Sequence, residues 1–259
     1  MTIPLTRAQS VQRATPVPPL PARAPASPAA QGPVRRYDVR SLGPDGSALH
    51  SQHVAPATPL FEEAFCAFSH GALVETVGGA VAIEDLQPGD LVSTVGGRAA
   101  PVLWIGSTLI LPGRGAAPGR NLSLTRIMAD ALGLQRPSAC VIAGPAARLL
   151  HVPSHLRALA GTMRMVTPAA DCVDGVNVIE TAPPAPVVLY HLCLPRHAAI
   201  RVSGLEFETY HPGNRLRHLA DNATRALFLS LFPHIGAAGD FGPLAYPRIG
   251  EDQIEPSPA

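Results

Sequence analysis

The segment around Cys66 contains the side chains best suited to nucleophilic chemistry. Cys66 lies in the apolar run Phe65–Phe68, and Ser69 and His70 follow it directly. A thiol or a hydroxyl becomes an effective nucleophile when a base lies within hydrogen-bond reach. Adjacent side chains of an extended strand point to opposite faces, so His70 is poorly placed to activate Ser69. Three roles stay open: a nucleophile at Cys66, a less favoured nucleophile at Ser69, or a thiol that only fills apolar space.

The spacing of cysteines and histidines does not indicate a metal site. The cysteines are Cys66, Cys140, Cys172 and Cys193. No two of them form a CxxC pair, which argues against a zinc ribbon or a redox motif. His151 and His155 would share one side of a helix and could bind zinc, but Pro153 lies between them and no third ligand follows at a diagnostic spacing. We therefore expect no metal and no other cofactor.

Two further pairs of histidines are close in sequence. His50 and His53 form a weak pair. His191 and His197 flank a predicted chain reversal and can meet across a hairpin. For this second pair two roles stay open: catalytic groups, or core histidines that are hydrogen-bonded. The glycine-rich run at 113–120 lacks the Lys-Ser/Thr pair and the following helix of a phosphate loop.

Composition narrows the classes of partner. The chain has 259 residues and a formal net charge of +1, which gives no electrostatic reason to expect nucleic acid or an anionic membrane. No run approaches the roughly 18 apolar residues that span a bilayer. Residues 1–12 lack the apolar segment of a signal peptide, so we expect either a cytoplasmic protein or export by a Sec-independent route. A protein partner, of unknown identity, stays possible.

Residue usage divides the chain into four segments. Residues 1–34 contain eight prolines, a composition that cannot pack a core and predicts a disordered tail. Residues 35–60 are expected to form a linker or a leading hairpin. Residues 61–235 are expected to form the main domain, and 236–259 a C-terminal tail.

Short apolar runs joined by glycine turns predict an all-β fold of short, twisted strands. Two hairpins have the clearest turn signals. Residues 37–42 and 48–54 flank a Gly-Pro-Asp-Gly turn, and residues 73–77 and 80–83 flank Gly78-Gly79. Residues 123–132 fit either a short helix or a strand. Short helices are predicted at 154–160, where Ser154 would cap the helix, and at 222–232.

Four blocks of sequence resemble the bacterial Hint (Hedgehog/intein) domain family. In chain order they are FEEAFCAFSHGALVETVGGAVAIEDLQPGDLV at 61–92, PVLWIGS at 101–107, VIAGPAARLL at 141–150 and VLYHLCLPRHAAIRVSGLEFETYHPG at 188–213. The resemblance implies a horseshoe-like all-β fold that carries out self-cleavage. In such domains a Cys or Ser at the head of the first strand attacks the preceding carbonyl, and a histidine in a T-x-x-H or S-P-x-H block activates that amide.

The same resemblance implies that the usual reactive groups are substituted in this chain. Ala67 falls at the nucleophile, Ala147 at the activating histidine, and Glu208-Thr209 where inteins have His-Asn. His197 matches a block histidine, and His191 lies at a position that is often polar. Cys66 is one residue out of register, so its side chain would face the wrong way unless the strand entry is bulged.

Two functions follow as expectations. The first is a catalytically degenerate autoprocessing module that acts as a binding or scaffold domain, and the substitutions favour this non-enzymatic role. The alternative is an active self-cleaving domain that uses Cys66 in an N–S acyl shift. The candidate catalytic residues are Cys66, His191 and His197.

Overall fold

The computed structural model of the protein describes residues 32–112, 122–160 and 164–249. Most of the predicted disordered tail and the glycine-rich run at 113–120 lie outside these residues. The strands are β1 (Val34–Leu42), β2 (Ala48–Pro56), β3 (Phe68–Ser69), β4 (Leu73–Thr76), β5 (Gly79–Ala82), β6 (Leu91–Ser93), β7 (Ala99–Pro101), β8 (Trp104–Ile110), β9 (Leu124–Ile127), β10 (Val141–Ala143), β11 (Arg148–Leu149), β12 (Thr167–Pro168), β13 (Val178–Thr181), β14 (Val187–Cys193), β15 (Ala199–Val202) and β16 (Leu205–Glu208). The α-helices are α1 (Pro59–Glu62), α2 (Arg157–Ala160) and α3 (Asn222–Leu229).

These strands form two curled antiparallel sheets, which confirms the all-β prediction. The first sheet has the order β13-β9-β10-β3-β14-β8-β1-β2. The second has the order β12-β11-β16-β15-β4-β6-β7, and β5 pairs with β4. In both sheets short strands lie beside partners that are distant in sequence, so side chains from many segments meet between the sheets.

The first predicted hairpin forms where the turn residues indicate. β1 pairs with β2 from Val34 opposite Pro56 to Leu42 opposite Ala48. The turn closes because Gly43 N donates to Ser47 O at 2.7 Å. β1 also pairs with β8 on its other side. The hairpin is therefore a full part of the first sheet.

The second predicted hairpin forms with its turn shifted by one residue. Thr76 pairs with Gly79, so the two turn residues are Val77 and Gly78 rather than Gly78 and Gly79. The Thr76 hydroxyl explains the shift, since Oγ1 accepts from Gly78 N and donates to Gly79 O. These bonds close the turn one residue earlier than the glycine pair alone predicts.

The predicted helices form in part. α3 begins after Asp221, whose carboxylate accepts hydrogen bonds from Ala223 N at 3.0 Å and Thr224 N at 3.1 Å. Ser154 does not cap the earlier helix, because Pro153 occupies the cap position and no side chain bonds there. In the ambiguous segment 123–132, residues 124–127 are strand β9 and residues 129–132 form turns, so no helix forms there.

One aromatic core joins segments from both ends of the described chain. Trp104 is fully buried, and its Nε1 donates to Leu231 O at 2.7 Å. Its ring stacks on Phe232 at 4.6 Å and meets the edge of Phe65 at 5.2 Å. Tyr37 of β1 packs on Phe65 at 4.5 Å. The leading hairpin and the segment after α3 therefore share one hydrophobic core.

Residues assigned from sequence to a C-terminal tail also pack on this unit. Phe241, in the 3-10 helix Ala238–Phe241, is buried, and Arg248 is 3% exposed. Among the described residues, no helix is long and apolar enough to cross a membrane.

Candidate functional site

The peptide bond between Cys66 and Ala67 lies where α1 leads into β3, held on one side by a neighbouring loop and on the other by strand β14. The loop connects β10 to β11 and contains residues 144–147. Ala146 N donates to Cys66 O at 3.0 Å, and Gly144 N donates to Ala67 O at 2.8 Å. From the other side, Ala67 N donates to Tyr190 O at 2.9 Å. Backbone groups alone therefore fix the peptide before Ala67.

Gly144 is required for this close approach. A Cβ atom built at Gly144 would lie 2.1 Å from Cys66 O, which is well inside van der Waals contact. The loop can reach the Cys66 carbonyl only because residue 144 has no side chain.

The side chains at the two positions that the resemblance marks as reactive are methyl groups. Ala67 is 0% exposed and Ala147 is 1% exposed. The loop that carries Ala147 is the one bonded to the peptide before Ala67. Neither methyl group can attack a carbonyl or transfer a proton.

The thiol of Cys66 lies in an environment that keeps it protonated. The residue is completely buried. Burial is the main reason that the pKa of the Cys66 thiol lies well above its ordinary value, and the negative charge of Glu62 raises the pKa further. The positive charge of Arg35 offsets only part of this increase. Reactive cysteines need the opposite surroundings, which lower the thiol pKa.

Ser69 and His70 are not brought into contact as a nucleophile and its base. The Ser69 hydroxyl donates to the His70 carbonyl at 3.3 Å. The exposed His70 ring lies 3.2 Å from Glu84 Oε1 instead.

His191 lies in the core beside the start of β3. Its Nδ1 accepts from Leu192 N at 3.1 Å. Its ring meets the edges of Phe68 at 5.7 Å and Tyr210 at 5.3 Å. Burial lowers the pKa of His191 to about 3, so the ring is neutral at pH 7.

His197 belongs to a second group of buried polar residues. We call His197, Glu208, His211 and Arg248 the buried polar cluster. His197 Nδ1 accepts from Ala245 N at 2.8 Å, which places the ring proton on Nε2. Nε2 lies 3.0 Å from Glu208 Oε1, a contact that is short but not well aligned for a hydrogen bond. The sequence predicted that His191 and His197 can meet, but the ring packed on His197 is that of His211, at 5.2 Å.

Arg248 completes the charge balance of the buried polar cluster. Its Nε donates to Glu208 Oε1 at 2.9 Å, and its Nη2 donates to His211 O at 2.7 Å. Burial alone would raise the pKa of Glu208, but His197 and the charge of Arg248 lower it to about 2. Glu208 is therefore ionised at neutral pH and paired with a cation.

Both ring nitrogens of His211 are also occupied. Nδ1 accepts from Gly213 N at 2.9 Å, and Nε2 lies 3.0 Å from Gly242 O. Burial lowers the pKa of His211 to about 4. The histidines of the buried polar cluster thus fix the chain segments around residues 213 and 242–245.

Thr209 has a structural role at the base of the β15–β16 hairpin. Its hydroxyl accepts from Ala198 N and donates to Ala198 O, each at 3.1 Å. Its backbone N also donates to Ala198 O, at 2.9 Å. The Thr209 side chain, which is 0% exposed, is therefore fully used in holding the hairpin together.

Two residues of the buried polar cluster, His211 and Arg248, were not predicted from the sequence. Arg248 is 40 residues from its partner Glu208 and belongs to no recognisable motif. His211 lies inside the last block, at 188–213, and its place in that block is the one signal that could have drawn attention to it. No group of three or more His, Cys, Asp or Glu side chains within the described ranges could hold a metal ion.

Comparison with known proteins identifies the fold family. The family model described as "Hint domain" matches residues 66–214, more than half of the chain. A search of curated proteins finds no match. Among solved structures, the chain is similar to a bacterial intein-like domain from Clostridium thermocellum, with 12% identity, a TM-score of 0.38 and coverage of 56% of this chain and 99% of that one.

A second similar structure is a DnaB intein from Synechocystis sp. PCC 6803, with 12% identity, a TM-score of 0.34 and coverage of 56% of this chain and 98% of that one. These structural similarities are too low to carry a functional argument, whereas the family match spans the peptide at Ala67, the loop 144–147 and the β15–β16 hairpin. On that match, the chain belongs to the Hint domain family.

Proposed function

We propose that this Hint domain is a catalytically degenerate autoprocessing module that acts as a binding or scaffold domain. One observation carries the proposal. The peptide before Ala67 is held by the loop 144–147, but residues 67 and 147 contribute only methyl groups.

Self-cleavage needs more than a well-placed carbonyl. An acyl shift requires a thiol or hydroxyl next to the carbonyl carbon and a group that moves a proton. The N–H of Ala146 already donates to the Cys66 carbonyl oxygen, as a donor that stabilises a developing oxyanion would. What the site lacks is therefore the nucleophile and the base, rather than the arrangement of the backbone.

Cys66 is the alternative nucleophile, and its surroundings count against it. Its attack would be directed at the Phe65 carbonyl. The carboxylates of Glu62 and Glu63 add to burial in raising the thiol pKa, so little thiolate forms at neutral pH. A buried thiol that packs in the core accounts for Cys66 without any reaction.

The test is to restore the missing groups in the full-length chain. Ala67→Cys combined with Ala147→His should allow the new thiol to attack the Cys66 carbonyl, breaking the peptide bond and forming a thioester. Dithiothreitol or hydroxylamine should then release a fragment that ends at Cys66. Mass spectrometry under denaturing conditions would measure it, and the unmodified chain should stay intact.

Matched variants separate the two functions. If Cys66 is the nucleophile, the unmodified chain should release a fragment ending at Phe65, and Cys66→Ala should stop this release. That result would overturn the proposal. If the double variant folds but stays intact with thiol, residues 67 and 147 are not the groups whose loss silenced the site.

A further inference from the structure

The outer face of the β1–β2 hairpin contains an exposed apolar band. The register pairs Arg36 with Val54 and Asp38 with Ser107, so alternate residues of β1, β2 and β8 share this face. Val34 is 57% exposed, Val54 67% and Leu109 49%. The opposite face of β1 is buried in the core. An exposed apolar cluster on a sheet face is a frequent mark of an interaction surface.

This band borders a shallow groove of about 470 Å³. Its lining includes Val34, Arg36, Asp38 and Leu109. The lining also takes in Arg35 and Ala57 and leaves out Val54, so the groove lies at the N-terminal end of β1 and borders the band rather than crossing it.

Arg36 and Asp38 give this face two opposite charges, two residues apart on one strand. Within the described part of the chain, the Arg36 guanidinium has no hydrogen bond or ion pair. Asp38 Oδ1 accepts from Gln52 Nε2 at 2.7 Å and lies 3.8 Å from His50 Nε2, and the Asp38 side chain stays 34% exposed. The Arg36 side chain is exposed, so it is free to pair with a carboxylate of another molecule, and the same face carries one at Asp38.

We propose that this face binds a second copy of the chain around a two-fold axis. The two-fold axis would lie in the plane between two stacked copies, perpendicular to β1, and would pass over Tyr37. This arrangement places Arg36 of each copy against Asp38 of the other. The same axis sets Leu109 beside its equivalent on one side and Val54 beside its equivalent on the other. A two-fold interface needs such a self-complementary surface, and the sequence of β1 supplies it.

The size of the face predicts a weak dimer. Three strands spaced about 4.8 Å apart and nine residues of about 3.3 Å each give a face of roughly 14 by 30 Å. Stable interfaces bury about 800 Å² on each partner, so association should depend on concentration in the micromolar range or above. The inference concerns a surface remote from Ala67 and holds whether or not the domain is catalytically degenerate.

Sedimentation equilibrium of the full chain between about 5 and 500 µM tests the proposal. The unmodified protein should shift from monomer to dimer across this range. Arg36→Asp and Asp38→Arg each place like charges together and should weaken association at least about tenfold. Arg36→Asp combined with Asp38→Arg should restore it, because the two-fold arrangement is preserved with the charges exchanged.

Apolar variants provide the matched control. Leu109→Asp should abolish dimer formation. Leu134→Asp, at a leucine that is 88% exposed on another part of the surface, should leave it unchanged. Circular dichroism would verify that each variant is folded.

Three outcomes would overturn the proposal. The first is a protein that stays monomeric over the whole range. The second is a dimer that neither charge reversal affects. The third is a dimer that both single reversals weaken and the double reversal does not restore, which would mean that Arg36 and Asp38 do not face each other across the axis.

Discussion

The peptide before Ala67 and the buried polar cluster are held in place by different kinds of group. Around Ala67, backbone hydrogen bonds hold the chain, and the side chains of residues 67 and 147 are buried methyl groups. In the buried polar cluster, ionisable side chains hold the chain through hydrogen bonds and ion pairs. The first region should therefore respond to crowding of the backbone, and the second to removal of a charged side chain.

The sharpest test of this contrast is to remove the carboxylate of the buried polar cluster. Glu208→Ala leaves Arg248 buried without its main counter-charge and should cost about 3–5 kcal/mol of unfolding free energy. Arg164→Ala is the control, because it breaks an exposed ion pair with Glu206 in which the Arg164 side chain is 57% exposed. It should cost less than about 1 kcal/mol.

Urea unfolding at neutral pH measures both values. Glu208→Leu combined with Arg248→Leu should be less destabilised than either single variant, because no charge is left unpaired. Equal losses for Glu208→Ala and Arg164→Ala would show that the buried polar cluster does not stabilise the fold.

The region around Ala67 should respond to backbone crowding instead. Gly144→Ala forces a methyl group toward Cys66 O and should cost roughly 1–3 kcal/mol. Gly239→Ala is the matched control, since a Cβ there meets no atom within 4 Å. If both variants unfold at the same urea concentration, the loop 144–147 does not hold the peptide as tightly as the hydrogen bonds indicate.

Per unit of pH, the smallest expected effect is a change in pH dependence at His191, whose ring packs on Phe68 and faces Glu208. Its folded pKa is about 3, below the ordinary value of 6.5, so the unfolded chain binds more protons between these limits. The stability that neutral His191 contributes to the folded state is complete above about pH 6.5 and is lost as the pH falls toward 3. The slope from one histidine is at most about 1.4 kcal/mol per pH unit.

His191→Leu should flatten the loss of stability between pH 6.5 and 4. The charged and titratable groups that face His191 are Glu208, Arg148, Arg248 and His197, and all of them remain in this variant. Phe68→Leu serves as the control, because it alters the packing next to His191 and removes no titrating group. Identical slopes in His191→Leu and the unmodified chain would contradict the assigned pKa.

Turn chemistry made much of the fold predictable from the sequence. The Gly-Pro-Asp-Gly segment specifies its hairpin because the signal lies within the turn itself. The one-residue error at Gly78-Gly79 has the same origin, since the Thr76 hydroxyl outweighs the glycine pair in setting the register. The close spacing of short apolar runs and glycine turns predicted the all-β class, and the family resemblance added the Hint arrangement of the strands.

For the candidate site, the sequence predicted which side chains occupy it but not the backbone contacts around it. The sequence marks Ala67 and Ala147 as methyl groups at positions where the family resemblance expects reactive ones. It does not show that Ala146 N bonds the Cys66 carbonyl, because that contact spans 80 residues and depends on how β3 and β10 pair. The ion pair of Arg248 with Glu208 was missed for the same reason, since long-range charge pairing leaves no local spacing pattern.

The aromatic core has a consequence for any cut at the peptide before Ala67. Tyr37 and Phe65 lie upstream of that peptide, while Trp104 and Phe232 lie downstream, and the rings are packed together. A severed chain would behave as a nicked protein, whose two pieces stay associated without a covalent link. Native chromatography would show one species of unchanged size, and the break would be seen only after denaturation.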